Sequence, residues 1–132
     1  MTKWLNSLQP TGALLMRLIL GVSMAVHGDQ KVLPLSALHH YAHYVSTLGL
    51  PYWLGYVSAY TEFVGGILLI LGLFTRLAAF LVAVNMLVAF ATVGIHQGFG
   101  IYNYILALAA LAIMLLFYGA GAFSVDRKIG FA

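Results

Sequence analysis

The sequence predicts an all-α integral membrane protein built as a four-helix bundle, and three observations carry the prediction. Of 132 residues, 63% are hydrophobic and 7% charged, whereas soluble domains run near a quarter charged. The apolar residues gather into four runs, about 10–28, 53–73, 77–95 and 101–118, each close to the ~20 residues a membrane helix needs. Short turn-like connections join the last three runs, which makes neighbours antiparallel. Backbone groups in lipid must be satisfied within their own segment, so the runs are helices. The length suits a single domain over residues 1–132.

In the first run, Pro10 fits a first helical turn. No small-residue cleavage site follows, so the run is expected to be a retained helix and not a signal peptide. The connection from Asp29 to Pro51 is long. Within it Leu38, Ala42, Val45 and Leu48 recur at helical spacing. They predict a short helix lying on the outer surface or folding into the bundle mouth. Tyr41, Tyr44, Tyr52, Trp53 and Tyr56 form an aromatic belt nearby. The second run carries Glu62 as its only charge, and a turn around Phe74, Thr75 and Arg76 leads to the third. Residues 97–100, with glycine at 98 and 100, lead to the fourth.

Charge fixes the expected orientation. Lys3, Arg76, Arg127 and Lys128 fall on one side and Lys31 on the other, which places both termini in the cytoplasm. The histidines then sit at or beyond the outer helix ends. The net charge of +3 is dispersed beside apolar runs, so no nucleic-acid partner is expected. With no cysteine, the chain's own residues form no disulfide, iron–sulfur cluster or thiol-exchange site. No nucleophile elbow, phosphate loop or zinc-protease motif is present.

Two charged residues lie inside apolar runs, and such residues are functional-site candidates by default. Glu62 shares a helical face with Gly55, Ser58, Ala59, Gly65, Gly66 and Leu69, and Arg17 with Ala13, Gly21 and Met24. Small residues let helices approach closely in a bilayer, so both charges should point inward. Their expected depths differ by about 9 Å, which a long arginine can largely span. One reading makes Arg17 and Glu62 a structural pair. A second makes Glu62 a proton-active carboxylate beside a quinone or other redox head group. A third makes them part of an ion path.

Asn85, Ala89, Thr92 and His96 align on one face of the third helix, either as interhelical hydrogen-bonding residues or as part of a site. His27 and His96 sit near outer helix ends, where facing histidines can ligate haem; hydrogen bonding at the interface is the preferred reading. His39 and His43 have a metal-compatible spacing, with His40 adjacent. They lack an acidic or cysteine partner, so no metal site is expected.

The ordered motifs resemble the DoxX family (DoxX/DoxD-like) of small four-helix bacterial membrane proteins. The resemblance rests on residues 17–21 (RLILG), His27-Gly28 with Lys31, residues 48–51 (LGLP), 62–66 (EFVGG), 71–76 (LGLFTR), His96 and 119–126 (GAGAFSVD). It implies a multi-pass protein of the bacterial inner membrane, associated with respiratory or sulfur redox chemistry. Asn103 stands where the family often carries an acidic residue, and the histidines at 39, 40 and 43 depart from the pattern.

The expected function is a membrane subunit or partner of a respiratory or sulfur/thiol-linked oxidoreductase near the quinone pool. Glu62 and Arg17 would be its catalytic centre, and His27, Lys31, Asn85 and His96 would line a quinone site. The alternative is a non-catalytic structural or assembly subunit that docks a larger membrane complex. Besides the lipid bilayer, a protein partner or a second copy of the chain is expected in either case.

Overall fold

The computed structural model describes residues 2–131. In chain order its helices are α1 (Thr2–Ser7), α2 (Gln9–Val32), α3 (Leu35–Thr47), α4 (Trp53–Leu71), α5 (Thr75–Thr92), α6 (Phe99–Tyr118) and α7 (Val125–Ile129), with a 3-10 turn at Gly94–His96. Four are long and apolar enough to cross a membrane: α2, α4, α5 with its 3-10 extension, and α6. Within the bundle only 28–33% of each span is buried. The remaining apolar surface requires lipid, so this is a multi-pass membrane protein.

Helix α2 runs a full turn beyond Gly28, where the sequence suggested its end. Gly28 is a crossing point instead of a terminus. A Cβ on it would collide with the backbone of Phe63, and one on Gly66 would strike Ala25. A Cβ on Gly21 would stand 2.7 Å from Ile70 Cγ1. Glycines at these three levels let α2 and α4 pack backbone to backbone. The added turn places Lys31 on the helix, one turn past His27.

Helices α5 and α6 form a second pair. Their contact is made by Ala78, Ala79, Val82, Ala83 and Met86 against Ile105, Ala109, Ala112 and Leu115, joined by Leu20, Met24 and Leu69 in one apolar core. Leu38, Ala42 and Val45 are the buried residues of α3. It folds into the bundle mouth: Gly55 of α4 meets Ala42 so closely that a Cβ would not fit. Val32, Leu38 and Ala59, with Tyr41, Tyr56 and Phe63 against them, form a small core beneath it.

Tertiary bonds set the α4–α5 turn. Gly72 adopts φ +71, and the Leu73 N–H reaches back to the Leu68 carbonyl at 3.0 Å, closing α4 two residues before the expected end. Helix α5 begins two residues early because Asp126 accepts hydrogen bonds from the N–H groups of Phe74 (2.7 Å) and Thr75 (2.9 Å). A carboxylate there satisfies orphan donors and complements the helix dipole.

Candidate functional site

Arg17 and Glu62 do not pair. Arg17 is fully buried and donates to the carbonyls of Leu69 (3.1 Å), Ile70 (3.4 Å) and Phe123. Leu69 and Ile70 lie in the last turn of α4, where the dipole favours a cation; the Leu69 carbonyl also accepts from the Gly72 N–H at 3.2 Å. Gly72 lies against the guanidinium, leaving no room for a Cβ. The Asp126 N–H donates to the Gly72 carbonyl at 2.9 Å. Arg17, the 71–76 turn and the 119–126 segment therefore form one knot of side chain-to-backbone bonds at the end of the bundle that holds the termini. An Arg17–Glu62 pair, one of the three readings that the sequence leaves open, does not form, because backbone carbonyls at a helix end compete for an arginine and lie nearer.

Glu62 lies midway along α4 and pairs with Lys31, its Oε2 2.6 Å from Nζ. This is the only ion pair among the described residues. The Glu62 side chain is 4% exposed and Lys31 29%. Lys31 therefore bridges from the C-terminal end of α2 toward mid-bundle, with its charge on the carboxylate. Nζ also lies 4.6 Å from the centre of the Tyr41 ring, close enough for a cation–π contact.

A second polar chain crosses from α3 to α5. Ser58 Oγ donates to Asn85 Oδ1 at 2.5 Å and lies 3.0 Å from Tyr41 Oη. A serine hydroxyl carries one proton, so Tyr41 must be the donor to Ser58. The order is Tyr41 to Ser58 to Asn85. It uses the Asn85 oxygen and leaves both amide N–H donors free of this chain.

Lys31, Tyr41, Ser58, Glu62 and Asn85 line one cavity of about 660 Å³. It lies where α2, α3 and α4 face the α5–α6 pair, and its apolar wall includes Val57, Leu81, Val84, Val88 and Leu108. A few convergent polar groups in an apolar chamber of this size are typical of a small-molecule site. The polar groups offer donors at Lys31 and Asn85 and an acceptor at the Glu62 carboxylate.

The sequence-predicted residues divide accordingly. His27 is exposed at the cavity rim, its Nδ1 2.8 Å from the Ser23 carbonyl. Asn85, Ala89 and Thr92 line the cavity as one face of α5. His96 is exposed and outside the lining, a correction to the predicted seam. The α-helix stops at Thr92 and the 3-10 turn rotates His96 away, so a 100° repeat cannot be carried that far. Arg17 is likewise absent from the lining. His39 Nδ1 lies 2.5 Å from Tyr56 Oη. Asn103 donates to the Phe99 and Gly100 carbonyls of its own helix.

In sequence, Tyr41 is indistinguishable from an interfacial aromatic and Ser58 from a packing residue. A first helix ending at Gly28 leaves Lys31 in the loop, apart from Glu62. The signal was present: Met24, Gly28 and Lys31 continue the inward face at helical spacing.

A model of the DoxX family matches residues 12–97. The chain belongs to the DoxX family. The match runs from α2 through the 3-10 turn and includes all five polar residues at the centre of the cavity. Two similar proteins add detail. "Putative oxidoreductase CatD" of Bacillus subtilis (strain 168) is 32% identical over 107 residues, covering 79% of this chain and 78% of that protein. An uncharacterized protein of Haemophilus influenzae (strain ATCC 51907 / DSM 11121 / KW20 / Rd) is 34% identical over 135 residues, covering 94% and 95%. No solved structure matches the chain.

Proposed function

We propose that this DoxX protein is a membrane subunit or partner of a respiratory or sulfur/thiol-linked oxidoreductase, and that its cavity receives a quinone head group. One observation carries the reading: the Lys31–Glu62 ion pair and the Asn85 amide open on the same apolar-walled chamber. Lys31 and Asn85 donate hydrogen bonds to the head-group oxygens. Glu62, with Lys31, would pass to the head group one of the two protons that accompany its reduction, the other coming from water through the cavity mouth. The Tyr41–Ser58 chain holds the Asn85 amide in place. The quinone, when bound, supplies two-electron, two-proton chemistry, and the electrons come from a redox centre of the partner enzyme. Arg17 and His96 have no part in the site in this reading. The setting is the bacterial cytoplasmic membrane, with both termini inside and the cavity in its outer half.

Purified protein in nanodiscs should retain extractable quinone. Glu62→Gln keeps the shape and removes the charge, and should weaken quinone binding about tenfold, or about 1.4 kcal/mol. Unchanged binding in a folded Glu62→Gln protein would sink the proposal. A second reading, a non-catalytic assembly subunit, draws on α3, whose outward side exposes His39, His40, His43 and Tyr44. It predicts a partner that co-purifies with the chain and retains full redox activity beside Glu62→Gln.

A further inference from the structure

A second, smaller hollow of about 360 Å³ lies between α4 and α5. It shares Val57, Thr61 and Leu81 with the polar cavity, so the two spaces adjoin at these three side chains. Beyond the shared residues its walls include Val64, Leu68 and Leu77. No charged side chain lines it. From Val57 to Leu68 it follows α4 for ~16 Å at 1.5 Å per residue, about half of a ~30 Å hydrocarbon core.

The groove exists because both facing helices are narrow there. Gly65 and Ala78 line it from α4 and α5. It also opens sideways: Val57, Val64, Leu77 and Leu81 are all exposed on the surface that faces lipid. Its axis follows α4, roughly along the direction of lipid chains. A small water-soluble ligand would have no use for this space and would enter at the outer rim, past His27 and Gln97.

We infer that the cavity's ligand is an amphiphile with one long apolar chain, which enters sideways from the bilayer between α4 and α5 and lays its tail in the groove below Val57, Thr61 and Leu81. The inference rests on the head-group reading above and adds the ligand class and its route. A head fixed at Lys31, Glu62 and Asn85 would direct its substituent past Val57, Thr61 and Leu81 into the adjoining apolar groove, toward the end of the bundle that holds the termini. The tail contributes affinity by burying apolar area, and the polar cavity discriminates the head.

The test compares benzoquinones carrying no tail, a short prenyl tail or a long polyprenyl tail, bound to the full chain in nanodiscs. Val64→Phe fills the groove without touching the cavity lining, and Leu77→Trp does so from the other wall. Ile67→Phe, on the lipid-facing side of α4 outside both spaces, is the control. Comparing variant with wild type at fixed tail length cancels partitioning into lipid. Val64→Phe and Leu77→Trp should weaken the long-tailed quinone about tenfold, leave the tail-less one unchanged and exceed the effect of Ile67→Phe. Equal effects on all tail lengths, or none, overturn the tail groove. If the tail-less compound still binds in a Glu62-dependent way, only this inference falls. The same equal response would mark an ordinary lipid chain as the groove's occupant. If no quinone in the series binds wild type, the head-group reading falls with it.

Discussion

Arg17 and Lys31 stand on the same helix and both reach inward, but their partners differ in kind. Arg17 is sealed, and it donates to main-chain carbonyls that every variant of this fold would still present. Lys31 is partly exposed, and its partner is a side chain that borders an open chamber. At the Arg17 end Asp126 likewise bonds to backbone N–H groups. At the Lys31 end Tyr41, Ser58 and Asn85 bond to one another. A charge in a membrane matched to backbone closes a structure, because the backbone cannot leave. A charge matched to a side chain can exchange that partner for a ligand.

The contrast is tested most strongly at Arg17. Arg17→Ala strands buried carbonyls and should lower stability by about 3 kcal/mol, read as a lower thermal or detergent-induced unfolding midpoint. Its folded fraction should still bind quinone. A variant with wild-type stability and lost binding would reverse the roles given to the two ends.

Asp126→Ala removes the cap of α5 and should cost about 2 kcal/mol in the same unfolding assay. Combined with Arg17→Ala it should cost less than the sum, because both side chains hold one turn. Full additivity would mean that the two act separately. At the other end Asn85→Ala should weaken quinone about fivefold, equivalent to about 1 kcal/mol, with a smaller change in unfolding midpoint. Equal loss of stability and binding would make Asn85 interhelical glue. His96→Ala should alter stability by less than about 0.5 kcal/mol and leave quinone binding unchanged. A binding defect there would restore His96 to the site.

Much of the fold was legible in the residues. Inward faces on α2 and α4 followed from the small residues around Arg17 and Glu62, and both charges are buried as expected. The α3 helix was visible in Leu38, Ala42 and Val45, which are its buried positions. Helix ends were less legible, because several are set from elsewhere in the chain. The start of α5 depends on Asp126, some fifty residues away. Gly28 looked like a stop and proved to be a contact, since glycine serves both purposes and only the neighbour distinguishes them. Of the site, Glu62, Lys31 and Asn85 were grouped from the sequence, but the Lys31–Glu62 ion pair, the Tyr41–Ser58–Asn85 chain and the places of Arg17 and His96 outside the cavity were not legible there.

Sequence alone determined that this chain must live in lipid, that its long elements are helices, and that Arg17 and Glu62 turn inward. Those outcomes depend on composition and on a 3.6-residue period, which are local properties. Tertiary structure decided which charge meets which partner and where the bundle stays open. Pairing depends on helix crossing, relative depth and a competing backbone acceptor, and none of these is written in any one segment. Arg17 is therefore part of the closure, and Lys31 and Glu62 border the chamber.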